Sequence, residues 1–175
     1  FKIGDLVKKL ADDGAVVIGF DVFFPEFERN LVKELNQRVE GGLDTNGKGK
    51  ALLPQLAAAP AALFDGDAYF AASMGGSADV VLGFSFRDEK DIHEGGLPEP
   101  VFKVKDEDRE DLTIGERLGY TGNNKTLQDA AAGAGFFDTI PDNDGVIRKT
   151  PLVIQYEGHV YRSLALEMAR RFNVT

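Results

Sequence analysis

Five polar side chains, Asp21, Ser85, Arg87, Asp138 and Arg148, are spaced along this chain so that folding could gather them. The first four fall at or just beyond the carboxyl ends of apolar, β-rich runs, and in open α/β sheets ligands bind at that edge. If the strands are parallel, a hydroxyl, two carboxylates and an arginine converge there, and Arg148 joins them around a small polar ligand. A second reading uses the same groups. Asp21 or Asp138 would pair with Arg148 or Arg117 in an internal network that fixes the loops, because buried charges are normally paired.

Other chemistries each fail at a specific position. Residues 42–49, GLDTNGKG, nearly spell a phosphate-cradling loop, but Gly49 stands where a hydroxyl would bind magnesium, and the segment follows a helical pattern where a strand is required. An aspartyl nucleophile at Asp21 would need a second carboxylate two residues on, and Phe23 occupies that place. A phosphotransferase using Asp21 is therefore kept as a rival to a binding role. Asp142-Asn143-Asp144-Gly145 suits a calcium loop only in part: Ile140 stands at the leading ligand position and Pro151 at the closing one. A tight turn, with Arg148 paired to its carboxylates, is the simpler expectation. His93 and His159 lie in different segments with no serine or carboxylate at motif spacing, and the chain has no cysteine. Nucleophilic triads, zinc–thiolate sites and disulfides have no basis, and neither an enzyme nor a cofactor is expected.

The elements that must position these groups are legible in the apolar spacing. The 175 residues make one domain's worth of chain, able to bury a little under three-quarters of its unfolded surface. Ile3, Leu6, Val7 and Leu10 recur at helix spacing, with Gly14 placed as terminator. Residues 15–24 form an almost unbroken apolar run, expected as a central strand buried on both faces. Leu31, Val32, Leu35 and Val39 mark a second helix. Residues 41–64, rich in Gly, Ala and Pro, read as an insertion of loop and short helix. A helix over 67–74 leads to a buried strand over 80–86, and strand, helices, strand argues for a parallel crossover. Residues 87–112 are charged and lack periodicity, which indicates an extended surface loop. A short helix near 126–129 precedes a third strand at 135–137. The turn at 141–145 follows, then a β-rich run from Val146 to Tyr156, a return at Val160-Tyr161 and an amphipathic helix carrying Leu164, Leu166, Met168 and Phe172. The fold expected is α/β: a central mixed, mainly parallel sheet flanked by helices, with a C-terminal β-hairpin and terminal helix.

The order Gly135-Phe136-Phe137, Pro141-Asp142, Asp144-Gly145-Val146-Ile147-Arg148, Pro151-Leu152, Glu157-Gly158, then Tyr161, Ser163-Leu164-Ala165-Leu166-Glu167 and Ala169-Arg170 resembles the second type of CHASE domain. That module is the extracellular sensory domain associated with cyclases and histidine kinases. The runs at 14–25 and 80–84 look like the family's first and second strands, so the resemblance spans most of the chain. Asp138 stands where the family often carries asparagine, and Arg162 where it usually carries proline.

The resemblance implies a non-catalytic sensor outside the cytoplasmic membrane of a bacterium, forming one domain over 1–175 between membrane spans. An unknown small ligand or an extracytoplasmic protein would be sensed, and a cytoplasmic cyclase, kinase or cyclic-dinucleotide enzyme would answer. Such receptors usually signal as dimers. The opening in a helical pattern reads as a domain cut from a longer protein. The formal charge of −9 repels phosphate backbones and anionic lipid, which argues against nucleic-acid partners and electrostatic membrane docking. A protein-binding module without a small-molecule pocket is a further alternative.

Overall fold

The computed structural model describes residues 2–28, 30–43, 51, 53–55, 58, 63–105, 114–140, 142 and 144–174. Helix α1 (Lys2–Asp12) opens the chain, with Asp5 in its first turn and Lys9 in its last, as the helix dipole favours. Gly14, at φ +95°, ends it by adopting a conformation that side chains with a Cβ disfavour. Strand β1 (Val17–Phe20) follows, then α2 (Leu31–Arg38), which runs into a π-helical turn over Val39–Leu43. Most of the 41–64 insertion, including positions 44–49 of the phosphate-loop-like segment, lies outside the described residues.

Helix α3 (Gly66–Met74) is capped by Asp65, whose side chain accepts from the Ala68 amide at 3.0 Å. It leads into β2 (Asp79–Arg87), the longest strand and the centre of the first sheet. Short strands β3 (His93–Glu94), β4 (Phe102–Lys103) and β5 (Glu116–Arg117) follow, so two strands lie within the segment expected to be loop. After them come β6 (Gly119–Thr121), α4 (Lys125–Ala130), β7 (Gly133–Phe136), the hairpin β8 (Val153–Tyr156) and β9 (His159–Arg162), and α5 (Leu164–Val174).

The chain is α/β, with two mixed sheets flanked by helices. In the first, β2 pairs parallel with β1 and with β7 and antiparallel with β6, which also pairs with β3. In the second the order is β4-β9-β8-β5. The expectation of a central strand at 15–24 is corrected. Only Val17–Phe20 form a strand, it pairs with β2 alone, and its burial is partial. Strand β2 is central because Val80, Val81, Leu82, Phe84 and Phe86 leave almost no surface exposed on either face. Val146 and Ile147, expected to begin the β-rich run, lie outside any strand and are exposed.

The two sheets meet through aromatic rings. Phe84, Phe86, Phe136, Tyr156 and Tyr161 pack edge-on or tilted with centroids 5.2–6.4 Å apart. Helix α5 lies on β7 at a distance only glycine permits: a Cβ on Gly135 would fall 2.5 Å from the Leu164 Cα. It runs antiparallel to β7, since Leu164 sits over Gly135 while Arg171, seven residues on, reaches Asp79 and the Ala132 carbonyl at the amino end of the strands.

Candidate functional site

At the carboxyl edge of the first sheet, the parallel register that sets Phe84 opposite Phe136 brings the end of β2 beside Phe137 and Asp138. The Phe137 amide donates to the Phe84 carbonyl at 3.2 Å and closes the ladder. Asp138 then takes over as acceptor. Its Oδ1 receives the Ser85 hydroxyl at 2.6 Å and its Oδ2 receives the Phe86 amide at 2.8 Å. The carboxylate thus satisfies donors that β7 no longer reaches. Arg87, at the end of β2, donates through Nε to Thr121 Oγ1 at 3.3 Å, and its guanidinium lies 5.7 Å from the Phe23 ring centroid. Phe23 in turn stacks on Phe137, centroids 5.9 Å apart and planes 4° from parallel.

Of the five expected groups, the structure brings Ser85 and Asp138 into contact and places Arg87 beside them. Asp21 stands exposed past the end of β1. Arg148 is held elsewhere, by Asp142 at 2.9 Å and Asp144 at 2.8 Å. Its hydrogen bond holds the Asp144 carboxyl below the ordinary aspartate range, and Asp144 raises Arg148 in return. The alternative network is not formed: Arg117 pairs with Asp88 at 2.8 Å, and among the described residues neither it nor Arg148 meets Asp21 or Asp138. Phe23, the residue that bears on the phosphotransferase reading of Asp21, is a packing residue in the aromatic stack. Among the described residues no three His, Asp or Glu side chains are grouped to hold a metal ion.

Two polar centres were not singled out from sequence. Asn123, fully buried, accepts the Phe24 amide at 2.9 Å and donates to the Gly83 carbonyl at 3.0 Å, tying the segment after β1 to β2. Asn124 caps α4 through the Leu127 amide and donates to Asp67 Oδ2 at 3.1 Å. An asparagine directly before an apolar-periodic segment is the readable signal for that cap. The second centre is Glu167 on α5, only 3% exposed.

Glu167 accepts four N–H groups. Oε1 takes Arg170 Nη2 at 2.6 Å and Arg171 Nε at 3.0 Å, while Oε2 takes Arg170 Nε at 2.9 Å and Arg162 Nη1 at 3.3 Å. The local signal is Glu-x-x-Arg-Arg, which places both arginines one turn from the carboxylate. Arg162, from β9, is legible only in three dimensions. Burial pushes the Glu167 carboxyl up, but hydrogen bonds from Arg170 and Arg171 and the charges of Arg170 and Arg162 outweigh it, leaving the group below the ordinary glutamate range. Gly133 makes room for it, since a Cβ there would fall 2.6 Å from Glu167 Oε1.

The family model of the CHASE2 domain matches residues 2–175, all but the first residue of the sequence, and the chain belongs to the CHASE2 domain family. CHASE2 domains are extracellular sensory modules of membrane receptors, and the module senses without catalysing a reaction. No curated protein and no solved structure matches the chain. Among the described residues, no helix is long and apolar enough to cross a membrane.

Proposed function

We propose that this domain works as the extracytoplasmic input of a bacterial membrane receptor, passing a signal by displacement of α1 relative to α5. The whole-length CHASE2 match supports the sensory role, and the placement of the two terminal helices supports the route. The first turn of α1 lies with Phe24, Phe27 and Asp67 at the carboxyl end of the parallel strands. The last turn of α5 lies with Asp79 at the amino end. A ligand or partner that tilts one helix against the sheet therefore changes the vector between the two chain ends. Membrane spans joined to them would carry that change to a cytoplasmic cyclase, kinase or cyclic-dinucleotide enzyme. Dimerisation through an exposed apolar side of a terminal helix, such as Ile3 and Leu6 of α1, would couple two such inputs.

Val7 is the side chain through which α1 enters the core, at 1% exposed. In the full-length receptor, Val7→Ala should change basal effector output severalfold at equal membrane abundance. Leu127→Ala, a truncation on α4, which carries neither chain end, should change abundance only. Equal output from wild type and Val7→Ala would contradict the relay through α1.

A further inference from the structure

At the amino end of the parallel strands, opposite the edge where ligands were expected, a cavity of about 340 Å³ opens beneath α5. That volume is within the usual range for small-molecule sites. Arg162, Arg170 and Arg171 line it, together with Pro98, Pro100 and Val101 of the segment before β4. Each guanidinium carries five N–H donors, whereas a carboxylate has about four acceptor positions. Glu167 fills all four of its own, taking one N–H from Arg162 and two from Arg170. Arg162 keeps Nε and Nη2, and Arg170 keeps Nη1, without a partner among the described residues. Both side chains remain partly open to solvent, at 30% and 38% exposure.

The charges balance at the wall. Glu167 offsets one of three positive charges, Asp79, 3.5 Å from Arg171, a second, and Glu99 on the lining a third. What the wall offers an anion is therefore the unspent N–H donors of Arg162 and Arg170 and not a surplus charge. Because a common buried carboxylate already holds the arginines in position, little side-chain entropy remains to be lost on binding an oxyanion. We infer that this cavity binds a small organic monocarboxylate, its two oxygens on the unspent N–H groups of Arg162 and Arg170 and its apolar body against Pro98, Pro100 and Val101. A planar guanidinium fork matches a carboxylate. The apolar wall selects an organic acid over inorganic phosphate. Glu99, also on the lining, and the overall charge of −9 oppose a second negative charge on the ligand.

The inference rests on the sensor reading only for what binding does, and the site itself is tested on the isolated chain. In Tris–chloride free of other oxyanions, calorimetry and thermal unfolding with sodium butyrate and sodium benzoate should show saturable binding and a raised Tm. Butyramide, which lacks the charge, and sodium phosphate, which lacks the apolar body, should bind at least about tenfold more weakly. Arg162→Gln should weaken butyrate by a similar factor. If that variant fails to fold, the Arg162 Nε–H resonance of the wild type should move on butyrate titration. Absence of saturable binding by both acids, equal binding of phosphate or butyramide, or an unmoved Arg162 resonance would each overturn the site. A domain that binds butyrate within a receptor whose output ignores it would leave the site standing and remove its role as the sensed input.

Discussion

Helices α1 and α5 are both 11 residues long and both amphipathic in pattern, yet they are attached differently: α5 packs on β1, β2 and β7, and α1 packs on α3. Helix α1 buries Val7 and Gly4, packs on α3 and sets Leu10 and Ala11 against the core, and its polar ties among the described residues include the Tyr69 hydroxyl, bonded to Asp5 and accepting from Lys8 at 3.1 Å, with the Lys8 ammonium 4.2 Å from the ring centroid. Those polar ties are exposed and contribute little each. Helix α5 sets backbone almost on backbone at Gly135 and sinks a saturated carboxylate beneath three arginines. Sequence periodicity treats the two alike. The contrast teaches that α5 is clamped to the sheet by a buried ion cluster while α1 is held on α3 mainly by packing, the asymmetry that the proposed displacement of α1 would use.

The largest expected effect comes from removing the clamp. Glu167→Ala leaves three arginines around a site with no counter-charge and should cost about 3 kcal/mol in urea unfolding, the low end for breaking a buried pair because the guanidinium groups stay partly solvated. An unchanged midpoint would show that α5 is held by packing alone. Next, Val7→Ala should cost about 2 kcal/mol and loosen α1 without loosening α5. Uniform loosening of both helices in hydrogen exchange would erase the distinction between them.

The pH dependence sharpens the same contrast. The Glu167 carboxyl is lower in the folded chain than the unfolded value of about 4.3, so its contribution is fully present above that pH and lost as pH falls through the folded value. Stability should therefore fall between neutral pH and about pH 3.5 by more in wild type than in Glu167→Gln. Equal acid losses would remove Glu167 as the source. The smallest effect is expected far from both helices. Asp144→Asn, in the exposed pair with Arg148, should leave the unfolding midpoint unchanged within error, because solvent screens that pair.

Most of the architecture was legible because it follows from local pattern. Helix spacing marked α1, α2, α3 and α5, the Glu157-Gly158 turn marked the hairpin, and the run at 80–86 marked the buried strand. Which strand is central was not legible: the 15–24 and 80–86 runs share composition, and only the pairing of β2 with three neighbours separates them. The strand-end rule located Ser85, Arg87 and Asp138 on one edge, as the parallel register requires. Arg148 carried two readings, at the ligand edge or paired to the carboxylates of its own turn, and the second, the simpler expectation, is the one formed, because Asp142 and Asp144 lie within six residues of it. The Glu167 centre was hidden for a different reason. Its arginines at 170 and 171 suit a helix terminus in their own right, and Arg162 stands on another element. Phe172, assigned from sequence to the apolar face of α5, is exposed, because the helix is rotated to bury Glu167, which lies about 140° around it from Phe172.

Amide hydrogen exchange of the native chain, resolved along α1 and α5, tests the asymmetry most directly. The slowest α5 amides should exchange only through global unfolding, whereas α1 amides should exchange through a local opening of clearly lower free energy, with α5 still protected. Amides of α1 as slow as those of α5 would contradict the account, because a helix fixed as firmly as its counterpart offers no low-energy displacement to carry a signal.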